Sequence, residues 1–155
     1  MATLRPARVQ EAQAMAEMSR ELIEAGLDWR YTPRRIAALI GDPDTVALVA
    51  CDAARIHGFA IMQFGDEQAH LVLLCVQPAQ QRRGIGSSLH EWLVESARVA
   101  GIASIQLELR ADNAAALGFY RGLGFSETRL IPAYYGGQIA ARQMQRWLRA
   151  GAAGA

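Results

Sequence analysis

Residues Gln80 to Ser87, with the sequence QQRRGIGS, lie between an apolar run and a helical pattern. The first N–H groups of a helix have no acceptor within the helix, and the helix dipole favours an anion beside them. Glycine lets a backbone approach a phosphate closely because it has no side chain. The segment therefore predicts a phosphate-binding loop. The alternative is an ordinary helix start in which Ser87 is the cap and Arg82 and Arg83 are solvated.

A second segment with chemical potential runs from Leu107 to Phe125, with the sequence LELRADNAAALGFYRGLGF. It places Glu108 near a strand end, Asn113 at the start of a helix and Tyr120 two turns later. A carboxylate and a phenol can accept and donate protons in catalysis. Each of the three also has a structural interpretation, as a solvated strand residue, a helix cap and a core aromatic residue respectively.

Charge and composition exclude several classes of function. The 155-residue chain has sixteen basic and fifteen acidic residues, and all sixteen basic residues are arginine. The absence of lysine excludes a Walker-type phosphate loop, Schiff-base chemistry and a lysine general base. A net charge near +1 lacks the positive stripe that nucleic acid binding requires. We therefore expect no nucleic-acid partner.

The two cysteines and the hydropathy pattern bear on location. Cys51 and Cys75 lie in apolar runs without metal-type spacing, which favours buried reduced thiols over a disulfide and predicts no metal site. No stretch approaches the ~20 apolar residues of a membrane span, and the N-terminus lacks the features of a signal peptide. We expect a cytoplasmic protein with no membrane partner.

Periodicity predicts the elements that must position these residues. After an extended TLRP, the predicted helices are Val9–Ala25, Pro33–Gly41, Ile85–Ala100 and Asn113–Leu123. The predicted strands are Thr45–Cys51, Ile56–Phe64, Gln68–Val76, Ser104–Leu109, Phe125–Ile131 and Ala140–Leu148. The first three of these strands form an antiparallel meander. The order strand, crossover helix, strand around Ile85–Ala100 predicts one parallel pair.

Taken together, the two segments resemble the GNAT superfamily of N-acetyltransferases, and the resemblance covers roughly Thr3 to Leu148. The acyl-CoA signature Gln/Arg-x-x-Gly-x-Gly/Ala is found at Gln81 to Gly86. The second signature is found at Asn113, the aromatic pair Phe119-Tyr120 and the Leu-Gly-Phe that follows. The segment that begins at Leu107 is similar to the ribosomal-protein alanine N-acetyltransferase subgroup.

The resemblance implies a fold of the α/β (α+β) class. Its central sheet is mixed but mostly antiparallel, with six to seven strands, one parallel splayed pair and four flanking helices. We expect a single domain over residues 1–149 and a flexible C-terminal tail over residues 150–155.

The resemblance also implies acetyl-CoA as cofactor, with its pantetheine arm between the splayed strands. The residues implied to bind it are the backbone of Leu74, Cys75 and Val76, the N–H groups of Arg82, Arg83, Gly84, Ile85, Gly86 and Ser87, and the side chains of Asn113 and Tyr120. Tyr120 is expected beside the sulfur as general acid.

Two residues compete for the role of general base. The alanine N-acetyltransferase subgroup places a glutamate at the position of Glu108. His70 matches the position of the catalytic glutamate in the histone-acetylating branch, and free imidazole titrates near pH ~6.5. We favour Glu108; His70, or no protein base, is the alternative.

The acceptor is expected against two aromatic segments, Asp28–Tyr31 and Tyr134–Gly137, whose rings either form a binding wall or pack the fold. The predicted function is transfer of an acetyl group to a primary amine, either a peptide or protein N-terminus or a small amine. The alternative is a non-catalytic acyl-CoA-binding sensor or interaction module. A homodimer through the final strands is a further expectation that rests on the family alone.

Overall fold

A seven-stranded sheet lies at the centre of the computed structural model, which describes residues 2–53 and 55–149. Its strands are β1 Thr3–Pro6, β2 Thr45–Cys51, β3 Ile56–Phe64, β4 Gln68–Val76, β5 Ser104–Arg110, β6 Ser126–Tyr135 and β7 Ile139–Trp147. The α-helices over the same residues are α1 Ala12–Leu22, α2 Pro33–Gly41, α3 Ile85–Val99 and α4 Ala114–Gly122. Short 3-10 turns cover Val9–Glu11 and Pro78–Gln80.

The strands follow the order β1-β2-β3-β4-β5-β7-β6. β4 and β5 run parallel, whereas the other neighbouring strands pair antiparallel. The crossover between the parallel strands is α3, as such a connection requires. The mixed sheet, its parallel pair and the four flanking helices are confirmed. The three strands of the meander have the predicted bounds.

The helices cover both faces of the sheet through apolar stripes. On one face, α1 and α2 bury Met15, Ala16 and Ile36 against β2, β3 and β4. On the other face, α3 buries a stripe that includes Leu89 and Leu93. The start of α2 follows the predicted signal, since Thr32 Oγ1 accepts a hydrogen bond from the Arg35 N–H at 3.4 Å. Cys51 and Cys75 are buried free thiols.

A β-bulge at Val72 changes the direction of β4. Leu71 pairs with Met62 and Leu73 with Ile61, so Val72 is an extra residue on β4. Ala69 and Leu71 pack in the core beneath α3, whereas Leu73 and Cys75 pack beneath α1 and α2. The four would share one face in a regular strand. The bulge therefore exchanges the two faces of β4 and bends the strand.

Two predicted boundaries were wrong. The first helix is shorter than Val9–Ala25, because its first turn is a 3-10 turn and it ends at Leu22, before Gly26. Conversely, β6 continues to Tyr135, so the paired tyrosines lie in a strand and not in the predicted loop. A register shift between Ile131 and Tyr135 allows this extension. Ala133 within it has a φ of 54°.

The predicted C-terminal tail, residues 150–155, lies outside the described residues. Among the helices within the described part of the chain, none has the length and apolar character of a membrane span.

Phe59 is the largest of the fully buried side chains, and it lies in the core beneath α1 and α2. We expect Phe59→Ala to lower the free energy of unfolding by about 3–5 kcal/mol, because a buried ring is replaced by a cavity. Val99→Ala is the control, since Val99 is 81% exposed and should change stability by no more than about 0.5 kcal/mol. Urea denaturation measures both, and equal midpoints would contradict this assignment of the core.

Candidate active site

A cavity of about 1030 Å³ opens between β4, β5, the starts of α3 and α4, the connection between α1 and α2, and the end of β6. The sequence-predicted site residues that line it are Leu74, Cys75, Val76, Arg82, Gly84, Ile85, Gly86, Ser87, Glu108, Asn113 and Tyr120, together with His70. Arg83 is exposed and does not belong to this lining. The two sequence segments therefore meet around one space.

The cavity begins where β4 and β5 separate. The two strands pair only at Gln68–Ser104, Ala69–Ile105 and His70–Gln106. Beyond these pairs, β4 remains bonded to β3 on its other side. The splay that the resemblance implied is therefore present.

The pairing with β3 determines which backbone groups face the gap. Gln77 N–H donates to the His57 carbonyl at 2.7 Å, so the alternation of an antiparallel ladder also directs the groups of Cys75 to β3. The N–H and C=O of Leu74 and Val76 point into the gap. The expectation that the Cys75 backbone faces the cofactor thus needs correction. The Val76 carbonyl already accepts a hydrogen bond from Gln81 Nε2 at 3.2 Å.

The predicted phosphate loop has a distinctive backbone. Gly84 is the N-cap of α3 with a φ of 79°, so the alternative of a Ser87 cap was wrong. Arg82 also adopts a left-handed conformation, with a φ of 66°, which costs a non-glycine residue about 1–2 kcal/mol. Within residues 2–53 and 55–149, the six consecutive N–H groups from Arg82 to Ser87 have no hydrogen-bond acceptor. Such a row of donors at a helix start suits an anion.

Asn113 and Tyr120 lie on the opposite wall, on α4. Asn113 is the helix cap, since its Oδ1 accepts from the Ala116 N–H at 3.0 Å, and its Nδ2 donates to no described residue. Tyr120 is only 9% exposed and packs edge-on against Phe119 and Phe125. Its hydroxyl has no hydrogen-bond partner in the described part of the chain. Both side chains therefore keep a polar group available to the cavity.

The surroundings of Tyr120 disfavour charge. Burial raises the pKa of the Tyr120 phenol well above its usual range, and the neighbouring Cys75 and Tyr135 add to this. Burial likewise raises the pKa of the Cys75 thiol.

The two candidate bases are bonded to one another. His70 Nε2 lies 2.7 Å from Glu108 Oε1, and Gln106 Nε2 donates to Glu108 Oε2 at 3.3 Å. The Glu108 side chain is 9% exposed and that of His70 is 41% exposed. Sequence reasoning treated the two as competitors because each matches the base of a different branch of the family. The register of β4 and β5 places them side by side although they are 38 positions apart.

The Glu108 carboxyl is held in its ionised form. Burial alone raises its pKa, but the hydrogen bond and charge of His70, with the amides of Gln106 and Gln143, outweigh burial and lower the pKa below its ordinary value. Tyr134 contributes a longer hydrogen bond, 3.4 Å from its hydroxyl to Glu108 Oε1.

The two aromatic segments of the acceptor side have mixed roles. Asp28, Arg30 and Tyr31 line the cavity, as do Tyr134 and Tyr135. Trp29 does not, because its indole packs on α1 with Nε1 donating to the Ala16 carbonyl at 3.2 Å. The packing interpretation is therefore correct for Trp29.

Sequence reasoning missed two residues. Glu24 is a buried carboxylate that binds the connection between α1 and α2, and Arg110 donates from β5 to the Ala25 carbonyl at 2.8 Å. It named Gln81 within the signature but did not predict the hydrogen bond from Gln81 Nε2 to the Val76 carbonyl. No local pattern marks Glu24 or Arg110, since their partners are remote or in irregular backbone. Over the same described residues, no group of three or more His, Cys, Asp or Glu side chains is arranged to hold a metal ion.

Known proteins share both the sequence pattern and the fold. A [ribosomal protein bS18]-alanine N-acetyltransferase of Salmonella typhimurium is 41% identical over 81 residues, which are 52% of this chain; the chain spans about half (55%) of that relative's length. The N-alpha-acetyltransferase RimI of Mycobacterium tuberculosis is 32% identical over 81% of this chain and 78% of its own.

The crystal structure of the ribosomal-protein-S18-alanine N-acetyltransferase from Escherichia coli superimposes with a TM-score of 0.82 at 27% identity. That superposition covers 98% of this chain and 97% of the other. The model of the acetyltransferase (GNAT) family matches residues 12–125. Since that match includes both signature segments, the chain belongs to the acetyltransferase (GNAT) family.

Proposed function

We propose that the protein transfers an acetyl group from acetyl-CoA to a primary amine, with a peptide or protein N-terminus ahead of a small amine. This proposal rests on the way four features surround one cavity. They are the unpaired N–H groups of Arg82 to Ser87, the gap between β4 and β5, the buried phenol of Tyr120 and the hydrogen-bonded pair of His70 and Glu108. The names of the Salmonella and Mycobacterium relatives support an α-amino acceptor.

The residues present fit acetyl-CoA. The N–H groups from Arg82 to Ser87 would hold the pyrophosphate, and the gap-facing groups of Leu74 and Val76 would pair with the amides of the pantetheine arm. The free Nδ2 of Asn113 is a further donor towards that arm. Once bound, acetyl-CoA supplies the thioester from which the acetyl group leaves.

The type of amine sets how much help from a base is needed. An α-amino group, with a pKa of ~8, costs about 1.4 kcal/mol to deprotonate at pH 7, whereas a lysine ε-amino group costs about 4.6 kcal/mol. A modest base is sufficient for the first but not for the second.

The His70–Glu108 pair is our proposed proton acceptor. An ionised carboxylate can only accept hydrogen bonds, so His70 Nε2 is the donor in the bond to Glu108. This leaves Nδ1 as the ring atom that would take the proton from the amine, while the Glu108 carboxylate holds the ring through the opposite nitrogen. The exposed face of His70 then gives the proton a route to water. The alternative is that Glu108 alone or His70 alone acts as the base.

Tyr120 is the proposed general acid for the leaving sulfur. A phenol with a pKa of ~10 lies about 1.5 units above an ordinary thiol, a gap worth about 2 kcal/mol. The burial that raises the pKa of Tyr120 also raises that of the neighbouring Cys75 thiol. A proton donor adjacent to the leaving sulfur can work across a gap of this size.

A thiol-release assay with acetyl-CoA, over a panel of amines and N-terminal peptides, tests the proposal. Release with at least one acceptor supports it. Binding of coenzyme A without release for any acceptor would instead favour the non-catalytic sensor. Dimerisation through β6 and β7, the absence of nucleic-acid and membrane partners, and a cytoplasmic location stay predictions.

The first test of the site concerns the phosphate loop. Gly84→Ala places a side chain at a φ of 79°, which costs about 1–2 kcal/mol. A loop that relaxes to avoid this cost must be re-formed on binding, so we expect the Kd for coenzyme A to rise about five- to thirtyfold by titration calorimetry. Gly101 has the same φ at the other end of α3. Gly101→Ala should cost similar stability without changing the Kd; equal Kd values for both variants would contradict the loop assignment.

Tyr120→Phe tests the general acid. The variant keeps the ring contacts to Phe119 and Phe125, and no hydrogen bond to a described residue is lost, so the fold should be retained. We expect kcat to fall at least about tenfold with the coenzyme A Kd unchanged, because only the proton donor is removed. Thiol release and calorimetry measure the two quantities, and an unchanged kcat removes Tyr120 from the mechanism.

A double-mutant cycle tests the proton acceptor. We expect His70→Gln and Glu108→Gln each to lower kcat/KM about tenfold or more, and the double variant to be little worse than the poorer single variant, because bonded residues act as one unit. The control is His57→Gln, since His57 Nε2 makes a similar 2.7 Å contact to Asp52 outside the cavity. Additive losses would show that the two act separately, and a loss confined to Glu108→Gln would assign the role to the carboxylate alone.

A further inference from the structure

We propose that Glu24 is a positioning residue that holds the acceptor wall of the cavity in place. The acceptor wall is defined here as residues 23–32, the connection between α1 and α2. This inference rests on the proposed function and deepens it, because it names the residue that sets the shape of the acceptor side.

The Glu24 carboxylate is buried, with only 6% of the residue exposed. Its Oε1 accepts hydrogen bonds from the Arg30 N–H at 2.7 Å and the Tyr31 N–H at 3.2 Å. Its Oε2 accepts from Ser19 Oγ at 2.8 Å. A buried carboxylate is costly unless it is hydrogen-bonded, and here three donors bind it. Glu24 therefore ties two backbone amides of the acceptor wall to α1.

The other anchors of the acceptor wall bind groups other than the Arg30 and Tyr31 N–H groups. Trp29 attaches it to α1 through the Ala16 carbonyl, and the Arg20 guanidinium lies 4.9 Å from the indole ring centroid. Arg110 attaches it to the end of β5 through the Ala25 carbonyl. These contacts hold Trp29 and Ala25, and neither binds the N–H groups of Arg30 and Tyr31. Arg30 and Tyr31 line the cavity, and Glu24 is the acceptor for both of their backbone N–H groups. From α2, Arg35 Nη1 donates to the Arg30 carbonyl at 3.5 Å, and its guanidinium lies 4.3 Å from the Tyr31 ring centroid.

The anchored residues face the proposed chemistry. Tyr134, which bonds Glu108, lies opposite them. Burial and Glu108 raise the pKa of Tyr134, while the positive charge of Arg30 acts in the opposite direction. The acceptor wall and the end of β6 are thus close enough to interact electrostatically across the space. A shift of Arg30 or Tyr31 would alter where an acceptor sits relative to His70 and Glu108.

Geometry and charge can be separated at this position. In Glu24→Gln, Oε1 can still accept both N–H bonds and Nε2 can donate to Ser19 Oγ, so the acceptor wall should be retained. In Glu24→Ala, the two amides lose their acceptor, and an unpaired buried donor is unfavourable. Glu21→Ala is the matched control, because Glu21 is an exposed glutamate in the last turn of α1, three residues before Glu24.

Amide hydrogen exchange measures the anchoring without any need for activity. We expect exchange at Arg30 and Tyr31 to be at least about tenfold faster in Glu24→Ala than in the wild type. Glu24→Gln and Glu21→Ala should remain close to the wild type. Unchanged protection in Glu24→Ala would overturn the proposal.

Kinetics with acetyl-CoA and a peptide that begins with alanine measure the consequence. We expect Glu24→Ala to raise the KM for the peptide at least about fivefold, with the KM for acetyl-CoA within about twofold of the wild type. Glu24→Gln should restore the peptide KM. A purely structural role would affect both substrates equally, and a Glu24→Gln variant as impaired as Glu24→Ala would show that charge, not position, matters; either result overturns the proposal.

The proposal can also be tested if the Glu24→Ala variant does not fold or if the wild type has no transferase activity. If Glu24→Ala does not fold, Glu24→Gln decides: retained amide protection supports the proposal and its loss overturns it. If the wild type releases thiol with no acceptor at all, the proposed function fails, whereas hydrogen exchange still decides whether Glu24 holds the acceptor wall.

Discussion

Backbone hydrogen bonding joins β4 to β5 over only three residue pairs, the last of which is His70 with Gln106. The bulge at Val72 comes two residues after His70 and directs the rest of β4 away from β5. The pairing between β4 and β3 continues up to Val76. Both faces of β4 remain covered. Before the bulge, Ala69 and Leu71 pack in the core beneath α3, and after it Leu73 and Cys75 pack in the core beneath α1 and α2. The sheet can therefore open on one side without exposing its interior. The N–H and C=O of Leu74 and the N–H of Val76 face a space where a ligand can satisfy them, whereas the Val76 carbonyl already accepts from Gln81 Nε2.

The same separation creates the carboxylate–imidazole pair. Glu108 lies two residues beyond Gln106, so it is on the same face of β5 as the residue that pairs with His70. Since β4 has begun to turn away, the side chains of His70 and Glu108 have room to meet at 2.7 Å. Their mutual hydrogen bond keeps the buried carboxylate ionised against the cost of burial. The separation of β4 from β5 thus determines both the shape of the gap and the ionised state of Glu108.

Much of this arrangement was predictable from sequence because its signals are local. Alternation and turn residues predicted the meander, and the glycine-rich segment after Val76 predicted a loop with free N–H groups. The bulge at Val72, the extension of β6 to Tyr135 and the left-handed Arg82 depend on pairing with other strands or on tertiary strain, which no local pattern encodes. The contact between His70 and Glu108 and the burial of Glu24 arise from packing between elements that are remote in the sequence.

This difference between local and remote signals also separates the two halves of the cavity. The half that we propose binds the cofactor is built mainly from backbone groups. Any sequence with suitable glycines and strand pairing can supply these groups, so a short motif is enough to predict that half. The half that we propose binds the acceptor is held by individual side chains, including Glu24, Trp29 and Arg110. Each of them bonds a carbonyl or amide of α1 or of the connection between α1 and α2. One substitution among them can change the shape of that half without affecting the motif. Family membership and cofactor are therefore far easier to infer from sequence than the identity of the amine.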